Sequence, residues 1–166
     1  MSEYWDLYDE YGEYLGENIA RGNPIPSNKF HRVIHIWIIN ENKEYLIQKR
    51  STSVAWHPDK WSTTTGSVLS GNFDLLEEAY RELLEELSLS KNEIDLEFLK
   101  EIRYGQSLIS IFVGFLPTYM IKNITYNNEV SDVKWMSKYK IMELEKLGKF
   151  VPFSEELFKL IFKIKL

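Results

Sequence analysis

Arg81 is followed directly by Glu82, and then by Glu85 and Glu86, in the stretch RELLEEL, with Glu78 one helical turn upstream. On an α-helix, positions i, i+3 and i+4 share one face, so this spacing holds the carboxylates side by side. Like charges four residues apart destabilise a helix by about 0.2–0.5 kcal/mol per pair. Glu78/Glu82 and Glu82/Glu86 are therefore a local cost. A hard divalent cation such as Mg²⁺ or Mn²⁺ offsets it, because clustered carboxylate oxygens are what these ions ligate. The competing reading is an acidic helix face that is simply solvated, which is the ordinary fate of such a face.

The elements around the glutamates favour a site. Asp74 stands as N-cap with Glu77 at the third position, a capping-box pattern. Leu76, Ala79, Leu83 and Leu87 form an apolar face, so the helix docks and its acidic side, with Glu82 exposed on it, has a fixed direction. Just upstream a short strand ends at Gly66, which offers an unhindered backbone carbonyl to the same ion.

The run WSTTTGSVLSGNFDLLEEAYRELLEELSL, from Trp61 to Leu89, resembles the Nudix box. That pattern is G, five residues, E, seven residues, then R-E-U-x-E-E-x-G-U, with U aliphatic. Residues Arg81 to Leu89 follow its second half except at Ser88, which replaces Gly. The first half departs. Counted forward from Gly66, Asn72 falls where the family has Glu, with one residue too many before Arg81. Counted back from Arg81, Phe73 falls there and Ser67 takes the Gly position. In either register the first glutamate of the box is missing. HRVIHIWIINENKEYLIQKRS is similar to the family's first strand pair, and EVSDVKWMS to its late strand before a C-terminal helix. WDLYDEYGEYLGENIARG is similar to the N-terminal hairpin of Nudix proteins related to isopentenyl-diphosphate isomerase.

The resemblance implies an α/β/α sandwich around a central mixed β-sheet, and a hydrolase that cleaves the pyrophosphate link of an X-P-P-Y compound of nucleoside-diphosphate type. Mg²⁺ or Mn²⁺ would be held by Glu82, Glu85, Glu86 and the Gly66 carbonyl. Glu82 would serve as base, and Arg81 would orient the glutamates by charge-assisted hydrogen bonds. Two alternatives stand beside this reading. The eroded first half suits a weak or inactive diphosphate-binding module. The N-terminal hairpin suits an isomerase-like enzyme, but that family uses a cysteine near the box and this chain has none.

Length and composition suit one domain over residues 1–166, with a hairpin and loop at 1–28 and a core at 29–166. The formal charge of −5 argues against a nucleic-acid surface. No apolar run approaches the ~20 residues that span a bilayer. The acidic start, MSEYWDLYDE, is unlike a targeting peptide, so a cytoplasmic enzyme acting on a small diphosphate is expected. Oligomeric state, a homodimer included, is open.

Periodicity predicts a hairpin from Tyr4–Tyr8 and Glu13–Ala20, then a central strand over Val33–Ile39 that is apolar on both faces. Further strands are predicted at Tyr45–Lys49, Leu96–Tyr104, Leu108–Leu116, Tyr119–Ile124 and Val133–Met136. Helices are predicted at Ser137–Leu147 and Ser154–Ile164. His31 and His35 share one strand face about 13 Å apart, too far to ligate a single ion. Arg50 and Lys49 end a strand where basic groups meet phosphate oxygens, His57 lies in a loop near the box, and Glu129 in a polar loop before the last strand. Arg50, His57 and Glu129 are the candidate substrate contacts.

Overall fold

The structure, a computed structural model, describes residues 3–165. The strands are β1 (Tyr4–Tyr8), β2 (Tyr14–Ala20), β3 (His31–Ile39), β4 (Tyr45–Arg50), β5 (Trp61–Ser62), β6 (Thr64–Ser67), β7 (Leu96–Tyr104), β8 (Ser107–Phe115) and β9 (Val130–Met136). The helices are α1 (Leu75–Leu87), α2 (Lys138–Lys146) and α3 (Glu155–Ile161). Strands β1 and β2 form a separate antiparallel hairpin, and the other seven form one mixed sheet. Helices cover both of its faces, which is the α/β sandwich expected. Among the described residues no helix is long and apolar enough to cross a membrane.

β3 is the centre of the sheet. It runs parallel to β8 and antiparallel to β6, and meets β4 only at Ile39–Tyr45. Beyond that point β4 leaves to pair with β9 and β5. The sheet is therefore split, and the segment Trp61 to Ser67 fills the split, with β5 on β4 and β6 on β3. The strand expected to end at Gly66 is thus two short strands, switching partner at Thr63, whose hydroxyl donates to the Ile36 carbonyl.

Alternation along β3 builds two cores. Ile34, Ile36 and Ile38 pack with Ala79, Leu83 and Leu87 of α1, while Trp37 and Ile39 pack with α2 and α3 on the opposite face. A strand covered on both sides reads as a continuous apolar run, which is how β3 reads. Leu83 is fully buried, so truncation to Ala would cost about 2–5 kcal/mol.

Two expectations need correction. The predicted strand Tyr119–Ile124 is a 3₁₀ helix, Thr118–Asn123. Pro117 sets its first turn with φ −59°, and its carbonyl accepts from the Met120 amide. Met120, Ile121 and Ile124 pack on the α1-side core while Tyr119 points out, a helical spacing rather than an alternation. Leu76, counted on the apolar face of α1, is exposed. The stripe consists of Ala79, Leu83 and Leu87, bordered by buried Glu78, Glu82 and Glu86.

Candidate active site

The site starts at the N-cap of α1. Asp74 Oδ1 accepts the Glu77 amide at 3.1 Å, but the reciprocal capping-box bond is not made. Glu77 pairs instead with Lys91, and the Asp74 amide donates to Asn72 Oδ1 at 3.3 Å. At the other end Ser88, where the box pattern has glycine, adopts the left-handed conformation at φ 58°. Its amide donates to the Leu84 carbonyl at 3.2 Å, the single bond of a left-handed (αL) helix ending, and the Leu89 amide reaches the Leu83 carbonyl at 3.4 Å.

The glutamates do not share one solvated face. Glu78, Glu82 and Glu86 are buried, contrary to the expectation of an exposed Glu82, and Glu85 points outward. The reason lies across the helix. β6 passes so close that a Cβ on Gly66 would sit 2.3 Å from Glu82 Cδ. Only glycine permits that approach, so Gly66 matters first as a gap that admits the Glu82 carboxyl.

Arg81 ties the group together. Its Nε donates to Glu78 Oε1 at 2.7 Å, Nη2 to Glu82 Oε1 at 2.7 Å, and Nη1 to both oxygens of Glu85 at 2.9 and 3.0 Å. Glu86 faces β4, where Gln48 Nε2 donates to it at 2.7 Å and Thr64 Oγ1 in turn donates to Gln48 Oε1 at 2.8 Å. Burial, and then the charge of Glu86, push the Glu82 carboxyl up to about 8. Burial pushes Glu86 up to about 7 against the opposing Gln48 bond. Two carboxyls that resist ionising together in a buried place, both with oxygen donors only, suit a hard dication. Glu82 and Glu86 are the buried candidates to hold one. Among the described residues no three His, Cys, Asp or Glu side chains are gathered for an ion, and Arg81 engages Glu78, Glu82 and Glu85.

The remaining candidates are sorted by strand alternation. Arg50 lies two residues beyond Gln48 on the same face of β4. There its charge is felt by Glu86, its own guanidinium is partly desolvated, and its Nε donates to the Trp56 carbonyl at 2.7 Å. Lys49 points to the opposite face. It joins Lys134, Lys140 and Lys149 around Trp61 in a pocket of about 490 Å³ on the α2 side, and pairs with Asp59 at 3.2 Å. Glu129 is exposed on the late loop, where its charge is felt by Glu86 and by Arg50. The Ser51 amide donates to its carbonyl at 2.9 Å, and the Asn127 amide reaches the Glu86 carbonyl at 3.3 Å, which docks this loop on the end of α1. His57 has φ 45° and lies beside the exposed Trp56 ring, 5.8 Å between centroids. Burial and the charges of Lys60 and Arg50 hold its imidazole below the usual range.

His31 and His35 lie on the α2/α3 face of β3, away from the carboxylates. His31 packs on Trp5 and His35 on Phe153. Burial holds them neutral, down to about 4 and about 3. Sequence reasoning passed over Gln48, Thr64 and Asp6. Asp6 is 2% exposed in β1 and accepts from Ser70 Oγ at 2.6 Å and the Gly71 amide at 2.9 Å, clamping the loop before α1. The available signal was a polar residue at an inward position of an otherwise apolar strand end.

Residues 29–161 match the family profile described as NUDIX domain. A Nudix hydrolase of Listeria innocua is 31% identical over 168 residues, covering 95% of both chains. Isopentenyl-diphosphate Delta-isomerase 1 of Bos taurus is 28% identical over 149 residues, 81% of this chain and 63% of that one. A crystal structure of a Deinococcus radiodurans protein superposes with a TM-score of 0.77 at 23% identity, covering 96% of this chain and 97% of that one. At that identity the likeness shows the fold.

Proposed function

This chain belongs to the Nudix hydrolases, a family of pyrophosphohydrolases acting on acid anhydrides, and from that premise we propose that it cleaves the diphosphate link of a nucleoside-diphosphate-type compound with the help of Mg²⁺ or Mn²⁺. The observation that carries the reading is the buried Glu82–Glu86 pair on α1, faced by Gly66 and ordered by Arg81. Glu82, Glu86 and the Gly66 carbonyl would hold the ion, with Glu85, whose carboxylate Arg81 orients, as a further ligand. When bound, such an ion neutralises non-bridging phosphate oxygens and lowers the pKa of a bound water.

The protein's own groups do the rest. Arg50 stands at the mouth of the site on the strand face that carries Gln48, where its guanidinium suits the oxygens of a diphosphate. Gln48, itself fixed by Thr64, holds one oxygen of Glu86 and so sets the carboxylate plane. Glu82 is the candidate base, and Glu129 is a second carboxylate at the same mouth. The products are X-P and P-Y. A relative of isomerase type aligns over 81% of this chain, but a cysteine near the box is absent here, which supports hydrolysis over isomerisation.

The test is a product-release screen over nucleoside diphosphates and triphosphates, sugar nucleotides, dinucleoside polyphosphates and isoprenoid diphosphates with each cation. Turnover of a nucleotide diphosphate that falls about 100-fold or more in Glu82→Gln supports the reading. A folded wild type that cleaves none of them, or a Glu82→Gln protein with unchanged turnover, overturns it.

A further inference from the structure

The box pattern asks for a glutamate in the loop before α1, and this chain has Asn72 or Phe73 there. Phe73 is exposed, packing edge-on to Tyr14 at 5.7 Å between centroids, and takes no part in the polar group. Asn72 does. Its Nδ2 donates to Glu78 Oε2, while its Oδ1 accepts from the Asp74 amide. The loop around it is anchored through Ser70 and Gly71 to buried Asp6. Glu78 is 1% exposed, and its other oxygen accepts from Arg81 Nε and Nη2.

We infer that Glu78 supplies, from the helix itself, the carboxylate the loop lacks, and that the Asn72–Glu78 pair is the positioning device that holds Arg81. This rests on the proposed hydrolytic site, to which Arg81, Glu82 and Glu85 belong. A buried carboxylate without partners costs several kcal/mol, so Glu78 needs donors on both oxygens. Asn72 satisfies one and Arg81 the other. The guanidinium is a rigid planar fork, and locking its Nε edge fixes where the other nitrogens point. Nη2 then meets Glu82 and Nη1 meets Glu85. Asn72 is therefore the matched partner of a displaced carboxylate rather than a gap in the site. A second carboxylate at position 72 would set like charges against each other in a buried place, where neither has a spare donor.

The inference is tested with the full chain as wild type, Asn72→Asp, Glu78→Gln and the double variant N72D/E78Q. Calorimetric titration of Mn²⁺ alone into metal-free protein, thermal melting and steady-state hydrolysis are read on each. Glu78→Gln sets an amide donor against the Asn72 donor, and Asn72→Asp sets acceptor against acceptor. Each is expected to weaken Mn²⁺ binding about 10- to 100-fold, the usual cost of losing a group that orients ligands. In the double variant the carboxylate and amide have exchanged places and every donor again meets an acceptor, so affinity recovers most of the loss. Where a substrate is cleaved, the single variants lower kcat with KM nearly unchanged, which a general loosening of the fold would not single out. Tighter or unchanged Mn²⁺ binding in Asn72→Asp overturns the inference, as does a double variant no better than the poorer single one. Should Glu78→Gln fail to fold, recovery is judged from N72D/E78Q against Asn72→Asp. A wild type that binds no Mn²⁺ and cleaves no diphosphate sinks the hydrolytic site instead. The melting temperatures alone then decide the pairing, by whether the double variant recovers.

Discussion

Ser88 occupies a left-handed backbone conformation at φ 58°, which costs an L-residue about 1–2 kcal/mol, against the extra 0.5–1 kcal/mol or so of chain entropy that glycine loses on folding. Its hydroxyl accepts one exposed hydrogen bond from Thr125 at 2.7 Å, a small compensation. Ser88→Gly is accordingly expected to stabilise the protein by about 0.5 kcal/mol, seen as a higher Tm. A lower Tm would show that the Thr125 contact outweighs the strain. Glu82 presents the opposite case, a residue whose charge harms the fold and serves the site. Because burial and Glu86 oppose its ionisation, Glu82→Gln is expected to melt above wild type at pH 9 without divalent ions, even as turnover falls. Melting below wild type there would mean that the Arg81 bond to Glu82 outweighs the repulsion.

Among the elements, the N-terminal hairpin acts on the site at a distance. Asp6 is its buried contact with the loop that enters α1, and the Tyr4 carbonyl accepts the Ser70 amide at 2.7 Å beside it. Asp6→Ala would leave Ser70 Oγ and the Gly71 amide without their acceptor, at a cost of about 1–3 kcal/mol each if they stay buried. The expected result is a lower Tm together with faster amide exchange at Gly71 and Asn72, while exchange in β3 and β8 stays slow. Uniform acceleration across β3 and β8 would assign Asp6 to global stability alone. The hairpin and its turn were legible in the sequence because alternation and turn residues are consecutive. Its function as a clamp was not, since Ser70 lies 64 residues from Asp6 and nothing local announces the meeting.

At the scale of the whole molecule, buried groups set the pH profile. His31 and His35 are held near 4 and near 3, below their ordinary 6.5. The unfolded chain therefore binds protons more readily, and stability is lost as pH falls from 6.5 through those values. Glu82 and Glu86 are raised to about 8 and about 7 from 4.5, so the folded state keeps their protons longer and stability is lost as pH rises from 4.5 through 8. The metal-free protein should be most stable between pH 4.5 and 6.5, where the two effects oppose, and should weaken on both sides. Millimolar Mg²⁺ or Mn²⁺ is expected to raise Tm by mass action, most strongly at pH 8, where the carboxylates are most ionised. A melting curve that no divalent ion moves at any pH would remove the cation from the site.

The chain's periodicities were sufficient for most elements. β1, β3, β4, β7, β8 and the helices α1 and α2 fall close to where apolar spacing and the Asp74 cap place them. α3 stops at Ile161, short of the expected Ile164, and Ser137 and Ser154 prove to be N-caps as well. These are short-range properties, settled by a residue and its neighbours within a turn or two. The Thr118–Asn123 helix was missed because Pro117 and a helical spacing of only three apolar residues compete with high strand propensity. The run of glutamates after Arg81 announced a site, but its internal arrangement depended on parts of the chain far apart. Burial of Glu82 required Gly66 on the strand packed against α1, Glu86 required Gln48, and the split between β3 and β4 brought both strands to α1. The sequence by itself determined which residue types could do the chemistry. Only tertiary contact decided which carboxylates are buried, which are paired and which remain for a ligand, because charge burial depends on what lies across the fold rather than along the chain.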